Sequence, residues 1–538
     1  VTVPSGEVTV EQNKLLKARL YKYRENLLIE RSRDGSSNFL LRDEGSAKAV
    51  LEELKTRQYV LSEQERKKRK KNPLPPFITS TLQQEASKRL GFTAKKTMLL
   101  AQQLYEGIEI PEEGSIGLIT YMRTDSVRVA PEAQQWARQY IKDRFGEAFL
   151  PSEPPQYKSK KTAQEAHEAI RPTYPEKTPE KVKKYLTKDQ FNLYKLIWDR
   201  FIASQMAPGE LESTTYIIRD SEGVAEFRAT GTVIKFPGFM ALYREDKIGG
   251  ESISSAEQTV LEGPEAVEEG LELPDINEGT PLSLEDIKAI QHFTQPPPRY
   301  TEASLVKALE EKGIGRPSTY ATILSTIQER KYVTKVDGKF VPSELGILVN
   351  DLLVERFPEL IDVSFTAKME EDLDEIEEGK IQWLKVVKEF YGPFKKDLDE
   401  AMKTLQRIKP KDIPTDLLCE KCGLPMVIRW GRHGRFLACT GYPKCKNTRP
   451  LNSMPSGIKC PLDGGDLIER KTRKGRTFWS CSNYPKCKFA TWYRPLNEPC
   501  PECGANFLVI RSQNGEKLIQ CIKEGCKYSR SATVMGDQ

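Results

Sequence analysis

Tyr121-Met122-Arg123-Thr124-Asp125 sets a phenol, a guanidinium and a carboxylate at alternate positions. In extended chain alternate side chains share a face, so the three project together. A phenolic oxygen can attack phosphorus, a guanidinium can neutralise the charge that develops there, and a carboxylate can orient a partner group. Taken alone, the triplet also describes a surface tyrosine beside a salt bridge. Further on, Gln164–Pro172 holds His167, one of three histidines, four residues before Arg171. With Pro172 ending a helix, both cations lie on one face and suit a phosphate; the alternative for His167 is a structural group.

The second chemistry is that of soft metal ligands. All eleven cysteines fall between Cys419 and Cys526. Cys419, Cys422, Cys439 and Cys445 form one block and Cys500, Cys503, Cys521 and Cys526 another, each with a Cys-x2-Cys pair and a returning pair at zinc-ribbon spacing. Four thiolates close a tetrahedron around Zn2+, which makes such sites structural rather than catalytic. The middle block has Cys460, Cys481 and Cys487, but Asp463 stands where the fourth thiolate belongs. Three ions per chain would make Asp463 a ligand; two would leave a ribbon held by packing. Gly434, Gly475 and Gly515 mark the hairpins that return the second pairs. A disulfide framework is the competing reading, set aside because no secretory signal opens this long chain and a reducing cytoplasm is expected.

The elements that position these groups follow from helix signals. Thr79–Gly91 reads as a capped helix, followed by a second over Ala94–Tyr105, and Thr301–Gly313 repeats the plan with Thr and Gly again twelve positions apart. Arg316-Pro317-Ser318-Thr319 opens a helix with Tyr320, Ile323, Leu324 and Ile327 on one face. Tyr332–Val341, alternating around Asp337-Gly338, predicts a two-residue hairpin. Helix, turn, helix and hairpin make a winged-helix unit, frequent in nucleic-acid binders and also in plain helical packing. In the first unit the corresponding strand is Ile116–Met122, which carries Tyr121 to an edge.

A chain of 538 residues is long enough for three to four domains. Its net charge of +6 hides an asymmetry, with 25 Lys/Arg against 11 Asp/Glu in residues 401–538 and 58 against 66 before them. Such a basic tail suits a polyanion. There, Trp430, Arg435, Phe436, Tyr442, Arg476, Phe478, Trp479, Tyr484, Trp492 and Tyr493 interleave rings and cations. Rings that stack on bases beside cations that hold phosphates suit single-stranded nucleic acid, although small ribbons need about half of such rings for their cores. Mean hydropathy is −0.56 and no run of 18 apolar residues occurs, which excludes a transmembrane helix. Arg66–Lys71 reads as a solvated loop before the Pro73–Pro76 linker.

Together, FITSTLQQEAS (Phe77–Ser87), GLITYMRTDS (Gly117–Ser126), QEAHEAIRPT (Gln164–Thr173), TEASLVKALEEKGIGRPSTYATI (Thr301–Ile323) and the cysteine ribbons closely resemble the bacterial type IA DNA topoisomerases, over nearly the whole chain. The resemblance implies a multidomain α+β torus: a β-rich arch from residues 1–76 and 207–292, a winged-helix-like tyrosine domain at 77–206, a helical single-strand-binding domain at 293–410, and ribbons at 411–450, 451–497 and 498–538. It implies ATP-independent relaxation of negatively supercoiled DNA through a 5′-phosphotyrosyl intermediate. Tyr121 would be the nucleophile and Arg123 the phosphate clamp; Asp125, His167, Arg171, Arg316, Ser318 and Thr319 would meet DNA. Zn2+ would sit in the ribbons and Mg2+ in an acidic Toprim cluster that this sequence lacks. Asp372-Leu373-Asp374 and Asp397-Leu398-Asp399 each miss the glutamate that such a cluster needs and read as solvated helix faces. The expectation is therefore a chain that binds single strands without efficient relaxation. Alternatives are a non-catalytic single-strand-binding module or a topoisomerase III-like enzyme. Expected partners are DNA, not a membrane, with an RNA polymerase contact through the tail; the expected state is a monomer in the bacterial cytoplasm, at the nucleoid.

Overall fold

The structure is a computed structural model; it describes every residue outside positions 1, 11–13, 25, 32–36, 40, 42, 112, 159–166, 244–267, 270–272, 292, 294–295, 405–411, 432–433, 451–454, 472–476, 514–515, 524 and 532–538. It divides into two compact bodies, Val1–Glu400 and Ala401–Gln538.

In the first body six antiparallel strands close on themselves. β1 (Thr2–Val10) pairs with β2 (Lys14–Tyr23) and with β6 (Pro281–Gln291). β6 pairs with β3 (Tyr59–Lys71), β3 with β4 (Gly209–Asp220), β4 with β5 (Ala225–Phe236), and β5 returns to β2. Alternation does the sorting: Leu16, Ala18 and Leu20 are buried while Leu15, Lys17 and Arg19 face out. Leu61, Ile218 and Phe227 join that core, and α1 (Glu44–Lys55) lays Ala47, Val50 and Leu54 onto it.

Arg66–Lys71 is strand rather than loop, paired residue by residue with β4 from Arg66↔Thr214 to Lys71↔Gly209. Main-chain pairing makes no demand for apolar side chains here, and these are mostly exposed. Because β6 meets only Tyr59 and Val60, the rest of β3 is an edge, where a row of cations repels any further strand.

The tyrosine-bearing region is helical. α2 (Thr79–Leu90), α3 (Ala94–Glu106), α4 (Pro131–Phe145) and α5 (Lys188–Ser204) enclose Leu82, Ala86, Leu104, Ile119, Tyr194 and Phe201. Gly91, at φ +65°, ends α2 in the left-handed conformation that glycine tolerates. Its start differs from the expected one. Ile78 is the cap, its N–H donating to the Thr81 hydroxyl at 3.0 Å, and Thr79 is the first helical residue, fully buried. Arg200 on α5 is buried; its Nε donates to the Pro75 carbonyl at 2.7 Å and its guanidinium lies 4.9 Å from the Phe77 ring centroid, which fixes the chain entering α2.

After α3 comes a short hairpin, Ile108–Ile110 with Gly114–Ile116. The strand expected over Ile116–Met122 does not continue. Beyond Ile116 the chain makes one isolated bridge, Ile119↔Pro172, and proceeds without regular pairing.

The second helical unit follows its plan more closely. α6 (Glu302–Glu311) is capped by Thr301, and α7 (Tyr320–Glu329) starts after a turn over 317–319, so Pro317 precedes the helix instead of lying in its first turn. β7 (Val333–Val336) and β8 (Lys339–Pro342) form the expected hairpin, with Asp337 and Gly338 at φ +47° and +76°. α8 (Glu344–Arg356), α9 (Val363–Glu377) and α10 (Trp383–Thr404) follow. Ala94 of the first unit packs with Val306, Leu324 and Phe340 of the second. At the same contact the Glu302 carboxylate, 4% exposed, accepts the Ala94 N–H at 3.2 Å and pairs with Lys335 at 3.1 Å.

The second body is three antiparallel four-stranded ribbons, built over Ile413–Pro450, Pro455–Thr491 and Arg494–Ser531. Ribbons two and three share a core of Ile458, Leu467, Phe507 and Val509, while ribbon one has its own around Met426 and Leu437. Gly434 faces Gly431 across the expected first hairpin; Gly475 and Gly515 lie outside the described residues. Among the described residues no helix is long and apolar enough to cross a membrane.

Candidate active site and zinc centres

The segment carrying Tyr121 is irregular but firmly tied. Gly117 opens it because a Cβ there would fall 2.5 Å from the Tyr105 carbonyl oxygen, and the Leu118 N–H donates to the Leu104 carbonyl at 2.7 Å. The Thr79 hydroxyl is shared between the Met122 and Thr124 carbonyls at 2.7 and 3.0 Å and accepts the Thr124 N–H at 2.9 Å. On the other side the Thr120 hydroxyl donates to the Ala169 carbonyl at 2.7 Å and accepts the Arg171 N–H at 3.0 Å. Two buried or half-buried threonines thus fix both flanks of the tyrosine.

The alternation expected from sequence is present without a strand. Met122, Thr124 and Ser126 are buried, Tyr121 and Arg123 exposed, Asp125 half-buried. The Tyr121 ring, 41% exposed, meets Tyr105 edge-on at 5.3 Å between centroids and lies 6.4 Å from the His167 ring. Arg123 has no carboxylate partner among the described residues. Burial raises the Asp125 carboxyl above the usual aspartate range; the His167 and Arg316 charges oppose this and Asp374 reinforces it. Groups from both helical units therefore act on one carboxyl.

Arg316 reaches this place from the loop between α6 and α7. Gly313 and Gly315 hold φ +70° and +74°, and a Cβ on Gly315 would meet the Thr319 Oγ1 at 2.9 Å. The Thr319 hydroxyl accepts the Arg316 N–H at 2.8 Å, closing the turn, and leaves the first amides of α7 without a side-chain cap. Ser318 is exposed beside it. The Arg316 guanidinium is engaged, with Nη2 donating to Asp374 Oδ2 at 2.7 Å and Nη1 lying 3.9 Å from Glu370 Oε2. Asp374 is thus not a solvated face residue but the partner of Arg316, whereas Asp399 does pair along its own exposed helix with Lys395 at 2.7 Å.

Arg171 departs from expectation. Residues 167–171 are irregular chain with one isolated bridge, Phe77↔Ile170, because the segment hydrogen-bonds sideways to Phe77 and Thr120 instead of along a helix; residues 164–166 lie outside the described residues. The Arg171 side chain folds back on Glu168, Nε to Oε2 at 2.7 Å, and on the Pro172 carbonyl at 2.9 Å. Thr79, Thr120, Tyr105 and Asp374 had no signature in the spacing of residues, since their contacts join positions far apart in the chain.

In the second body the ligand atoms converge in three places. Cys419, Cys422, Cys439 and Cys445 form one group, Cys500, Cys503, Cys521 and Cys526 another, and Cys460, Asp463, Cys481 and Cys487 the third, with all ligand atoms of a group within 4.8 Å of one another. The thiolate-rich donor sets suit Zn2+. No further cluster of three potential ligands occurs among the described residues. Of the aromatic set, Tyr442, Tyr484 and Trp492 are exposed, and Phe436, Phe478, Trp479 and Tyr493 half-buried. The Arg470 guanidinium lies 5.6 Å from the Tyr484 ring and Arg511 5.0 Å from the Tyr493 ring. Arg476 and the side chains of Trp430 and Arg435 lie outside the described residues.

Residues 11–388 match the DNA topoisomerase family, and residues 416–454, 457–495 and 497–533 each match the topoisomerase DNA-binding C4 zinc finger. The chain is a bacterial type IA DNA topoisomerase family member. Tyr121, Arg123, His167 and Arg316 all fall within the topoisomerase match, and each four-ligand group falls within one zinc-finger match. Full-length topoisomerase I from Thermotoga maritima is similar in structure, with a TM-score of 0.61 and 35% identity over 84% of this chain and 66% of that one. The chain therefore spans just under two thirds of that topoisomerase.

Proposed function

We propose that Tyr121 cleaves a single DNA strand by attacking a backbone phosphate, and that the break permits strand passage and relaxation of negative supercoils. The Tyr121 oxygen forms a bond to phosphorus as the bond to the 3′ oxygen breaks. The phenol's proton is lost and one is gained by the 3′ hydroxyl, and the reverse step restores both. The phosphotyrosyl link conserves the energy of the broken ester, consistent with a sequence that contains no G-x-x-x-x-G-K-[ST] loop. One observation carries the reading: an exposed phenol on a tethered loop, with a guanidinium two residues away that has no carboxylate partner among the described residues, and His167 at 6.4 Å. A phenol is neutral at physiological pH, so stabilising its developing charge is the residues' main task. In this reading Arg123 clamps the phosphate, His167 supports the backbone and Asp125 poises His167. Arg316, Ser318 and Thr319, at the start of α7, grip the single strand, and Arg171 acts through its main chain. The domains are those the family resemblance assigns, with 77–206 as the tyrosine domain between the two pieces of the arch.

We further propose that the acid/base half of the reaction, with its Mg2+, is not supplied by residues 1–538. The 538-residue chain then binds single-stranded oligonucleotides tightly and relaxes plasmid negligibly; efficient relaxation by it overturns this part. The ribbons hold Zn2+ in closed shells and present Tyr442, Tyr484 and Trp492 to unpaired bases. A monomer at the nucleoid, with a tail that touches RNA polymerase, belongs to the same reading. The competing reading is a single-strand-binding module without cleavage. In any relaxation-competent protein that contains this chain, mapping of trapped DNA conjugates should place the bond on Tyr121 and a DNA 5′ phosphate; a bond elsewhere refutes the assignment.

A further inference from the structure

The middle ribbon departs from the four-cysteine pattern, and its geometry says what replaces the missing thiolate. In ribbon one the first ligand lies beside the fourth, Cys419 to Cys445 at 3.6 Å, and the second beside the third, Cys422 to Cys439 at 3.3 Å. Ribbon three repeats this with Cys500 to Cys526 at 3.7 Å and Cys503 to Cys521 at 3.5 Å. In ribbon two Cys460 lies 3.7 Å from Cys487, and the Asp463 oxygens lie 3.1 and 3.5 Å from the Cys481 sulfur. The carboxylate therefore stands where the second thiolate stands in its neighbours. A tetrahedral zinc with Zn–S near 2.3 Å and Zn–O near 2.0 Å requires about 3.8 Å between sulfurs and about 3.5 Å between sulfur and oxygen.

The backbone agrees. Each ribbon turns its first ligand pair with the same two hydrogen bonds, Cys419 N–H to Leu424 O, Cys460 N–H to Gly465 O and Cys500 N–H to Ala505 O, with Gly423, Gly464 and Gly504 N–H returning to the first cysteine's carbonyl. Those glycines hold φ of +71°, +71° and +69°. In each the third cysteine's sulfur accepts an amide, from Gly441, Asn483 or Lys523. The carboxylate is also aimed from behind: the Asn483 amide donates to Asp463 Oδ2 at 2.9 Å and the Gly465 N–H to Oδ1 at 3.1 Å. Such outer partners orient a ligand carboxylate at a metal.

We propose that Cys460, Asp463, Cys481 and Cys487 bind a third Zn2+ in a three-sulfur, one-oxygen set, and that this ion leaves before the other two. Cys460, Cys481 and Cys487 are buried, but Asp463 is exposed, so water and chelators reach the ion through the ligand that holds zinc least softly. The three cysteines belong to the core that ribbon two shares with Phe507 and Val509 of ribbon three, so the ion sits against the packing of both ribbons.

The test is metal content of the full 538-residue chain after loading with excess Zn2+ and desalting. Three ions per chain support the site; two overturn it. Asp463→Ala should fall to two ions, and three retained there would show that the carboxylate is not a ligand. Asp463→Cys should keep three and slow the release of the most labile ion to a chelating dye by tenfold or more; an unchanged release rate overturns the lability claim. Asn483→Ala, which keeps all four ligands, should speed that release about tenfold, within the range that outer-partner removal gives. In the Co2+ protein, the charge-transfer intensity per ion should rise on Asp463→Cys, and no rise counts against the oxygen donor.

Discussion

The two helical units share a plan and differ in the state of their key arginine. In the first, Arg123 stands exposed beside Tyr121 with no acid partner among the described residues. In the second, Arg316 is held by Asp374 at 2.7 Å with Glu370 nearby. The difference teaches a division of labour. A guanidinium without an acid partner, next to the proposed nucleophile, meets phosphate without first losing one. One already paired must exchange a carboxylate for a phosphate, and so binds only as well as the difference between the two allows.

The comparison can be broken most decisively at the first unit. Tyr121→Phe should abolish covalent DNA capture in the relaxation-competent protein while changing single-strand affinity less than twofold by fluorescence anisotropy. Arg123→Ala should slow cleavage roughly 10²–10³-fold, the usual loss when one donor to a developing oxyanion is removed. Thr79→Val removes the hydroxyl that serves two carbonyls and one amide, and should cost about 1–3 kcal/mol of stability in denaturant titration; no loss would mean that the loop is held by other contacts. At the second unit the effects shrink. Arg316→Ala should weaken single-strand binding by roughly tenfold and lower the salt slope by about 0.7, one phosphate's worth. Asp374→Asn should move affinity the other way, by no more than about fivefold, because a half-exposed ion pair is worth about 0–1 kcal/mol. Weaker binding in that variant would make Asp374 a support for Arg316 and not its competitor.

Asp125 supplies a pH test. Burial raises its carboxyl above its unfolded value near 3.9, so folding favours the protonated form. That stabilising share is full below the unfolded value and is lost as pH rises through the raised folded one. Asp125→Asn should therefore raise the Tm at pH 7, with the gap closing towards pH 4. A gap that widens on acidification would make the nearby cations, not burial, dominant.

What was legible in the sequence was local. The hairpin at Asp337-Gly338, the left-handed Gly91 and the zinc ligands all rest on spacings of a few residues within one element or one ribbon. The Tyr121, Arg123, Asp125 alternation was legible for the same reason, although irregular chain and not a strand presents it. The helix expected to carry His167 and Arg171 failed because the four-residue spacing said nothing of Phe77 and Thr120, whose hydrogen bonds hold 167–171 in irregular chain. Thr79 reads as a cap by composition, yet it serves carbonyls 43 and 45 residues away, and Asp374 finds Arg316 across 58. Such partners become neighbours only once packing has been decided.

Glu302 settles the register in which the two helical units meet. Its nearly buried carboxylate is satisfied only when the Ala94 amide and the Lys335 ammonium are both in place. An apolar patch alone would tolerate sliding; a buried carboxylate that must meet the Ala94 amide of the facing unit does not. The Tyr121 loop and the Arg316 turn, one on each unit, therefore share one fixed alignment.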